Sequence, residues 1–224
     1  MQTDIEYQTC QQGEWQDCWL ISAVVGLAFK RPNEIQGMLQ EAGDGSYKVT
    51  LPGQDPVTVR PQDEAKATSN GIWAQALEAA IGRFTDVTAV RVFSFGEGIS
   101  LLTGHSRTGY TNVTGVGFAP GWRVWSRSAW FEQRVADATV RNRLMVLGGS
   151  DGYWTTPKFD WLIPQHCYAL LAYEPETRTC RIRNPYGNGD FPADRKRVDY
   201  GPGEFWLTPD EVQGSFCGFT VEDD

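Results

Sequence analysis

The sequence predicts an α+β protein that folds as two packed lobes, a helical N-terminal lobe and an antiparallel, β-rich C-terminal lobe. Apolar residues recur at helical spacing in the first half, most clearly over residues 72–84, whereas the second half contains short runs typical of strands. The 224 residues, 41% of them hydrophobic, are enough to bury a sizeable core. We expect the helical lobe to cover residues 1–110 and the β-rich lobe to cover residues 111–224.

The first predicted helix begins at Cys18 and ends near Lys30. Its residues are small and apolar, and basic residues followed by Pro32 are a typical stop signal. The other elements expected in this half are a short helix capped by Asn33 that runs to about residue 40, strands over residues 47–51 and 57–60, the amphipathic helix over residues 72–84, and a short helix over residues 98–102 that ends at Gly104.

A stretch rich in Gly, Thr and Pro, residues 106–120, predicts the crossing between the two lobes. The elements expected after it are a helix over residues 128–142, a buried strand over residues 144–147, an aromatic loop over residues 151–164, strands over residues 166–173, 179–183 and 204–207, a helix opened by Thr208 and Pro209, and a last strand over residues 216–221.

The charge balance excludes several classes of partner. Lys and Arg number 20 against 28 Asp and Glu, a formal net charge of −8, which argues against a nucleic-acid or anionic-membrane surface. No apolar run reaches the length of a membrane span, and the N-terminus lacks the basic-then-apolar order of a signal peptide. We therefore expect no nucleic-acid partner and no membrane partner.

Cysteine usage indicates thiols in a reducing compartment such as the cytoplasm, although a secreted effector with free thiols would show the same usage. The cysteines are odd in number and lack any CxxC spacing, which argues against a disulfide framework. Only His105 and His166 could assist them at a structural zinc site, so we expect no metal and no cofactor. The cysteines are Cys10, Cys18, Cys167, Cys180 and Cys217.

Cys18 stands where a catalytic cysteine would be expected. Asp17 is a favoured N-cap residue, and a cysteine at the first helical position lies at the positive end of the helix dipole, which favours the nucleophilic thiolate. Gln12, in the preceding segment, could turn its side-chain amide to the same point and stabilise an oxyanion. The alternative is a structural cysteine at the start of a core helix, because free cysteines are usually buried and inert.

A cysteine nucleophile also needs a base, and a side chain that orients the base. His166 opens a predicted strand directly after the aromatic loop, where its side chain would face a cleft. His105, in the crossing segment, is expected to be a surface or structural residue. Asn184 follows the next strand, and its amide oxygen could accept a hydrogen bond from the imidazole and fix the tautomer. Asn184 and Pro185 could equally form a simple turn.

Six segments, in order along nearly the whole chain, resemble motifs of the calpain protease core, a branch of the papain-like cysteine peptidases. The shared order makes chance improbable. The segments are Gln12-Gly13 with Asp17-Cys18-Trp19-Leu20, Trp73 with Leu77-Glu78-Ala79-Ala80, Leu102-Thr103-Gly104, His166-Cys167-Tyr168-Ala169-Leu170 (a His-Ala-Tyr strand in the family), Arg181-Ile182-Arg183-Asn184-Pro185-Tyr186-Gly187, and Gly203-Glu204-Phe205-Trp206-Leu207.

The resemblance implies a papain-like two-lobed fold with catalytic residues Cys18, His166 and Asn184. It also implies that Gln12 lies in the oxyanion hole beside the backbone N–H of Cys18. The reaction would be hydrolysis of peptide bonds in a protein or peptide substrate through a thioester acyl-enzyme. A larger parent chain or a regulator is a further partner compatible with this resemblance.

Several positions bear on the expected cleft. Gln16, two residues before Cys18, and Gln165, directly before His166, stand where the family usually has Gly. Both add side chains to the floor of the expected cleft. Tyr186 replaces the Trp that covers the His–Asn pair and can shield it with a smaller ring. Trp19 is expected to take part in the same lining and shielding.

Calcium is expected to be unnecessary. Calcium-dependent members of the family carry acidic residues at the positions that hold Thr9 and Gly71 here. Hard cations need several oxygen ligands, preferably carboxylates, so we expect no metal site in the first lobe.

Two other functions stay open at this point. A transglutaminase- or acyltransferase-type thiol enzyme would use the same thioester chemistry, with an amine in place of water. A catalytically silent, substrate-binding pseudoprotease would fit the crowding by Gln16 and Gln165, although none of the catalytic residues is lost.

Overall fold

Helices and largely antiparallel strands combine in an α+β fold in the computed structural model of this chain. The structure describes residues 4–88, 95–111, 123–124, 128–149 and 158–224. Within these ranges, no helix has the length and apolar character that crossing a membrane requires.

Seven α-helices lie within the described ranges, and local sequence signals set several of their ends. They are α1 (Cys18–Lys30), α2 (Pro32–Met38), α3 (Pro61–Glu64), α4 (Trp73–Ile81), α5 (Glu97–Thr103), α6 (Ser128–Val140) and α7 (Pro209–Ser215). Helix α5 stops at Gly104, which adopts the left-handed φ of 73° that favours glycine at a helix C-terminus. Thr208 and Pro209 open α7, as the sequence predicts, and Thr208 also forms a capping box with Glu211.

The strands of the described ranges form two sheets. The smaller has the order β1 (Leu39–Gly43), β2 (Ser46–Val49) and β3 (Val57–Val59). The larger has seven strands in the order β5-β4-β10-β6-β7-β8-β9, antiparallel except for the β4–β5 pair. Its strands are β4 (Arg107–Thr111), β5 (Arg123–Val124), β6 (Met145–Gly149), β7 (Cys167–Glu174), β8 (Thr179–Arg183), β9 (Glu204–Leu207) and β10 (Phe216–Glu222).

The centre of the larger sheet is buried on both faces. Val146 and Ala169 pack with α1, α4 and α5 in a first hydrophobic cluster, whereas Leu147 and Leu170 pack with α6 and α7 in a second. Successive side chains of a strand point to opposite faces, so each strand contributes to both clusters. One core therefore lies between the sheet and α1, and another lies between the sheet and the helices α6 and α7.

Most of the predicted elements are confirmed, several with the predicted ends. Helix α1 covers residues 18–30, and strands β8 and β9 cover residues 179–183 and 204–207. These elements are bounded by Pro, Gly or polar turns that act locally, which explains why sequence patterns locate them.

The predicted short helix after α1 exists, but its start and its end differ from the prediction. Helix α2 begins at Pro32, which fits the first helical turn, so Asn33 is not its cap. The helix ends at Met38, and the next residues form strand β1 instead of a further helical turn. The turn around Asp44 folds β1 back on β2, where Leu39 pairs with Val49.

The predicted crossing segment contains a strand of the larger sheet. Strand β4 pairs with β10, where Tyr110 lies opposite Phe219 and joins the second hydrophobic cluster. The division expected after residue 110 therefore cuts through β4. The rest of the crossing, residues 112–120, and residues 151–157 of the aromatic loop lie outside the described residues.

Glu222 at the end of β10 connects distant parts of the fold, although its side chain is only 1% exposed. Nη2 of Arg31, after α1, donates to both carboxylate oxygens at 2.9 Å. Nδ1 of His105 lies 2.7 Å from Oε1, and the backbone N–H of Leu144 donates to Oε2 at 2.9 Å. His105 is thus a structural residue, as predicted.

Replacing Glu222 with Ala should lower the free energy of unfolding by about 3 kcal/mol, because removing one member of a buried ion pair leaves its partners uncompensated. Chemical denaturation measures this loss. Glu34→Ala is the matched control, since Glu34 is 46% exposed and lies 3.5 Å from the same Arg31. The control should change stability by no more than about 0.5 kcal/mol. Equal losses in both variants would contradict the structural role of Glu222.

Candidate active site

A cleft of about 230 Å³ opens at the N-terminus of α1, where Cys18 is partly exposed. The side chain of Cys18 shares this cleft with most of the residues singled out from the sequence. The predicted residues that line it are Gln12, Gln16, Cys18, Gln165, His166 and Tyr186. The fold therefore brings together residues of the N-terminal segment and of the C-terminal half of the chain.

His166 and Asn184 are held together by neighbouring strands. His166 directly precedes β7, Asn184 directly follows β8, and the two strands are paired. His166 Nε2 lies 2.9 Å from Asn184 Oδ1, with both side chains at least 96% buried. Because Oδ1 can only accept, Nε2 carries the proton and Nδ1 is the ring nitrogen left to face Cys18.

Other contacts fix the position of the His–Asn pair. The Asn184 amide donates to the carbonyl of Asn188 at 3.1 Å, which assigns its oxygen to the imidazole. The ring of Tyr186 stacks on His166 with centroids 4.7 Å apart and an interplanar angle of 11°. Tyr186 therefore covers the imidazole, as expected for the residue in place of the family's Trp.

The environment of Cys18 favours its thiolate. Hydrogen bonding from the Cys167 thiol is the largest influence, and the hydrogen bond and charge of His166 add to it. Burial acts in the opposite direction, but the net effect lowers the pKa of Cys18 to about 5. Cys18 is thus a thiolate at neutral pH, the form that acts as a nucleophile.

Cys167 belongs to the candidate site, although the sequence reasoning missed it. It is the first residue of β7, it lines the cleft, and it is 6% exposed. The hydrogen bond to Cys18, with burial, raises the pKa of Cys167 well above that of an ordinary thiol. Cys167 therefore stays protonated and donates. A signal was present, because a cysteine stands beside His166 where the family motif has Ala.

Gln12 reaches the cleft through a tightly packed segment. A Cβ atom on Gly13 would lie 2.0 Å from the carbonyl oxygen of Lys66, so only glycine fits there. The backbone N–H of Gln12 donates to the carbonyl of Pro185 at 2.8 Å, which ties this segment to the residue after Asn184. Its Nε2 donates to the carbonyl of Trp15 at 2.6 Å, which uses one of the two amide hydrogens.

Asp17 does not cap α1 with its side chain, which corrects the capping prediction. The residue is fully buried, and its carboxyl group hydrogen-bonds Glu78 of α4. Burial, followed by that hydrogen bond and the Glu78 charge, raises the pKa of Asp17 to about 10. Asp17 is therefore a neutral acid at physiological pH, and it adds no negative charge beside Cys18.

Glu78 in turn holds the segment that packs on Gly13. Its Oε2 accepts the backbone N–H groups of Lys66 and Ala67, at 2.5 and 2.9 Å. The Asp17–Glu78 contact therefore links the start of α1 to the Lys66 carbonyl, against which Gly13 fits.

Trp19 does not line the cleft, contrary to the prediction. It is fully buried in the first hydrophobic cluster. One residue along a helix turns the side chain by about 100°, so Trp19 points away from the face that carries Cys18. Gln165 does line the cleft and adopts a left-handed φ of 53°, a conformation that glycine takes without the steric cost of a Cβ atom.

Comparison with protein-family models and with curated proteins finds no match for this chain.

Replacing Cys167 with Ala should raise the pKa of Cys18 above about 5, because the largest influence that lowers it is removed. A hydrogen bond to a charged group contributes about 1.5–3 kcal/mol, so alkylation of Cys18 by iodoacetamide near that pH should slow roughly tenfold. Mass spectrometry of the Cys18 peptide over a range of pH gives the rate profile.

Two further variants make this measurement specific. Cys167→Ser retains an O–H donor and should keep most of the low pKa of Cys18. Cys180→Ala removes a fully buried thiol of the second cluster and should leave the profile unchanged. An identical profile for Cys167→Ala and the unmodified chain would show that Cys167 does not stabilise the thiolate.

Proposed function

We propose that this chain is a calpain-type cysteine endopeptidase with a papain-like, two-lobed fold, which hydrolyses peptide bonds without calcium. The observation that carries the proposal is the position of His166 between Asn184 and Cys18. A thiolate, an imidazole and an orienting amide at the wall of one cleft are the components of thiol peptidase chemistry.

In the acylation step, the Cys18 thiolate attacks the carbonyl carbon of the scissile peptide. The negative charge that develops on the carbonyl oxygen is stabilised by the backbone N–H of Cys18, which has no partner within α1 at the first helical position, and by the side-chain amide of Gln12. His166 then donates its proton to the departing amine, and a thioester on Cys18 remains.

In the deacylation step, His166 takes a proton from water, which attacks the thioester carbonyl. The carbon–sulfur bond breaks, the carboxylic acid leaves, and Cys18 returns as a thiolate beside protonated His166. Asn184 keeps Nε2 occupied throughout, so Nδ1 is the nitrogen that exchanges protons. Tyr186 covers the ring and limits the access of other water molecules.

Two hydrophobic clusters support the proposed two-lobed arrangement. Cys18 packs on the first cluster, and His166 directly precedes β7, whose side chains enter both clusters. Helix α1 belongs to the first cluster, and it packs on the strand that begins after His166. In a papain-like enzyme the cleft runs between lobes that contribute the nucleophile and the base, respectively.

Direct hydrogen bonds at Thr9 support independence from calcium. Thr9 Oγ1 donates to Asn70 Oδ1 at 2.6 Å and accepts the backbone N–H of Asn70 at 2.9 Å. Trp73 Nε1 also donates to Asn70 Oδ1, at 3.0 Å. In calcium-dependent members of the resembled family, these two segments hold the acidic residues. Here neutral side chains connect the segments without carboxylates.

The substrate of this activity would be a protein or peptide in extended form, cleaved in a reducing compartment such as the cytoplasm. The side chains that line the described part of the cleft beside the catalytic set, including Gln16, Ile163, Gln165 and Tyr186, carry no formal charge. We therefore expect uncharged residues on the substrate next to the scissile bond. Control by a larger parent chain or a regulator is part of the same proposal.

The purified chain should cleave an unfolded protein substrate equally fast in calcium and in chelator. Cys18→Ala and His166→Ala should each lower the rate by at least about a thousandfold, since nucleophile and base act as a unit. Cys180→Ala is the matched cysteine control and should retain activity. An epoxide-type inhibitor should form one adduct, mapped to Cys18 by mass spectrometry, in chelator.

Each other outcome has a defined meaning. Cleavage only in calcium would contradict the argument from Thr9 and Asn70. Products that carry an added amine at the new C-terminus, with little free acid, would favour the acyltransferase. An epoxide adduct at Cys18 without turnover of any peptide library would favour a binding pseudoprotease.

Gln12→Ala should lower kcat about a hundredfold and leave KM nearly unchanged, because the amide is needed only when the oxyanion forms. Gln16→Ala is the matched control, the same substitution at a residue that lines the cleft. It should change KM more than kcat. Similar kinetics for the two variants would exclude Gln12 from the oxyanion hole, provided that both variants unfold at the temperature of the unmodified chain.

A further inference from the structure

Cys18, Cys167 and Cys217 bring three thiols to one end of the larger sheet. Cys167 of β7 lines the same cleft as Cys18, and it pairs with Gly148 of β6. Cys217 of β10 donates to the carbonyl oxygen of Gly149 at 2.9 Å. Gly149 belongs to β6, which is the neighbour of β7, the strand that carries Cys167. The peptidase chemistry described above needs only one of these sulfur atoms.

The other two cysteines differ in their surroundings. Cys10 and Cys180 are fully buried, and burial raises the pKa of both thiols, that of Cys10 to about 12. Oxidants react with thiolates that solvent can reach, so neither of these two is expected to react. Cys18 has both properties, a low pKa and a partly exposed side chain.

We propose that Cys18 and Cys167 are a site of reversible oxidative modification, at which a hydroperoxide converts the two thiols of the cleft into an intramolecular disulfide. The proposal rests on the reactive thiolate assigned to Cys18 under the proposed function. It concerns a different reaction of that atom, with Cys167 as the second participant.

The reaction proceeds in two balanced steps. First, the Cys18 thiolate attacks one oxygen of the hydroperoxide, the O–O bond breaks, and Cys18 becomes a sulfenic acid while hydroxide or alkoxide leaves. Second, the Cys167 sulfur attacks Cys18 Sγ, the S–O bond breaks, and the S–S bond forms. The proton of Cys167 and the departing hydroxide give water. The two sulfur atoms lose two electrons, which reduce the hydroperoxide.

Contact between the two thiols favours the second step. Cys18 and Cys167 line the same cleft, and Cys18 packs against the hydrophobic cluster that contains Cys167. The two sulfur atoms need to approach to about 2.05 Å in the disulfide. Cys18 is the first residue of α1 and Cys167 is the first residue of β7, so both stand at the ends of elements. Sulfenic acid formation also removes the negative charge of Cys18 that opposes ionisation of Cys167.

The disulfide would block peptidase activity and protect the nucleophile at once. Cys18 in a disulfide cannot attack a carbonyl group. It also cannot proceed to the sulfinic acid, which dithiol reductants do not reverse. A dithiol would attack the disulfide, restore both thiols and return the cleft to its reactive state.

The test uses the whole chain, reduced and then freed of reductant, with a small excess of hydrogen peroxide. Iodoacetamide then labels the remaining thiols, and peptides are mapped without reduction. We expect a cross-linked pair of peptides that contain Cys18 and Cys167. Labelling of Cys18 should fall roughly tenfold and return almost fully after dithiothreitol.

Two serine variants are compared under the same conditions. In Cys167→Ser, no cross-link forms, Cys18 gains the mass of a sulfinic acid, and dithiothreitol does not restore its labelling. Cys217→Ser removes the neighbouring thiol and should still give the Cys18–Cys167 cross-link. Near-native circular dichroism of each variant, before peroxide is added, excludes misfolding as the cause.

Three outcomes would overturn the proposal. They are sulfinic acid at Cys18 in the unmodified chain, a cross-link between Cys167 and Cys217, and full labelling of Cys18 after peroxide. The readout is the mass of the Cys18 peptide and not cleavage of a substrate. The disulfide can therefore be detected even in a chain that hydrolyses no peptide. Conversely, if the chain cleaves peptides and peroxide oxidises Cys18 irreversibly, the disulfide proposal fails and the proposed peptidase function stands.

Discussion

The packing of α1 on the central strands of the larger sheet is the contact on which the candidate site depends. Apolar residues of α1 share one hydrophobic cluster with Val146 and Ala169, and this cluster fixes the helix against β6 and β7. The first residue of the helix is Cys18, and the residue before β7 is His166. The same burial that stabilises the fold therefore positions Cys18 relative to His166, and it brings Cys167 to the same cleft.

The pKa of Cys18 results from two opposing effects, burial and hydrogen bonding. Burial disfavours a thiolate, but hydrogen bonds from Cys167 and His166 outweigh that cost and lower the pKa of Cys18. Burial disfavours the charge of Asp17 as well, and there burial and Glu78 outweigh a backbone hydrogen bond that favours the carboxylate, so Asp17 remains a neutral acid in contact with Glu78. The arrangement leaves the thiolate as the charged group at the N-terminus of α1, where the helix dipole also stabilises a negative charge.

The cleft differs from the resembled family mainly in its walls. Gln165 occupies a backbone conformation suited to glycine, and Gln16 places a second amide in the same space. Cys167 introduces a thiol beside the nucleophile. The His–Asn pair and its aromatic cover keep the geometry that thiol chemistry needs.

The sequence by itself determined the elements and the order of the reactive residues. Caps, prolines and apolar periodicity act over a few residues, so they located α1, β8 and the start of α7. Tertiary structure decided the rest. The contacts of Asp17 with Glu78 and of Cys18 with Cys167 join residues that lie far apart in the chain. The burial of Trp19 depends on which face of α1 packs on the rest of the fold. Local propensity carries no information on such contacts, because the packing of α1 against the sheet and α4 selects which face of each element is buried.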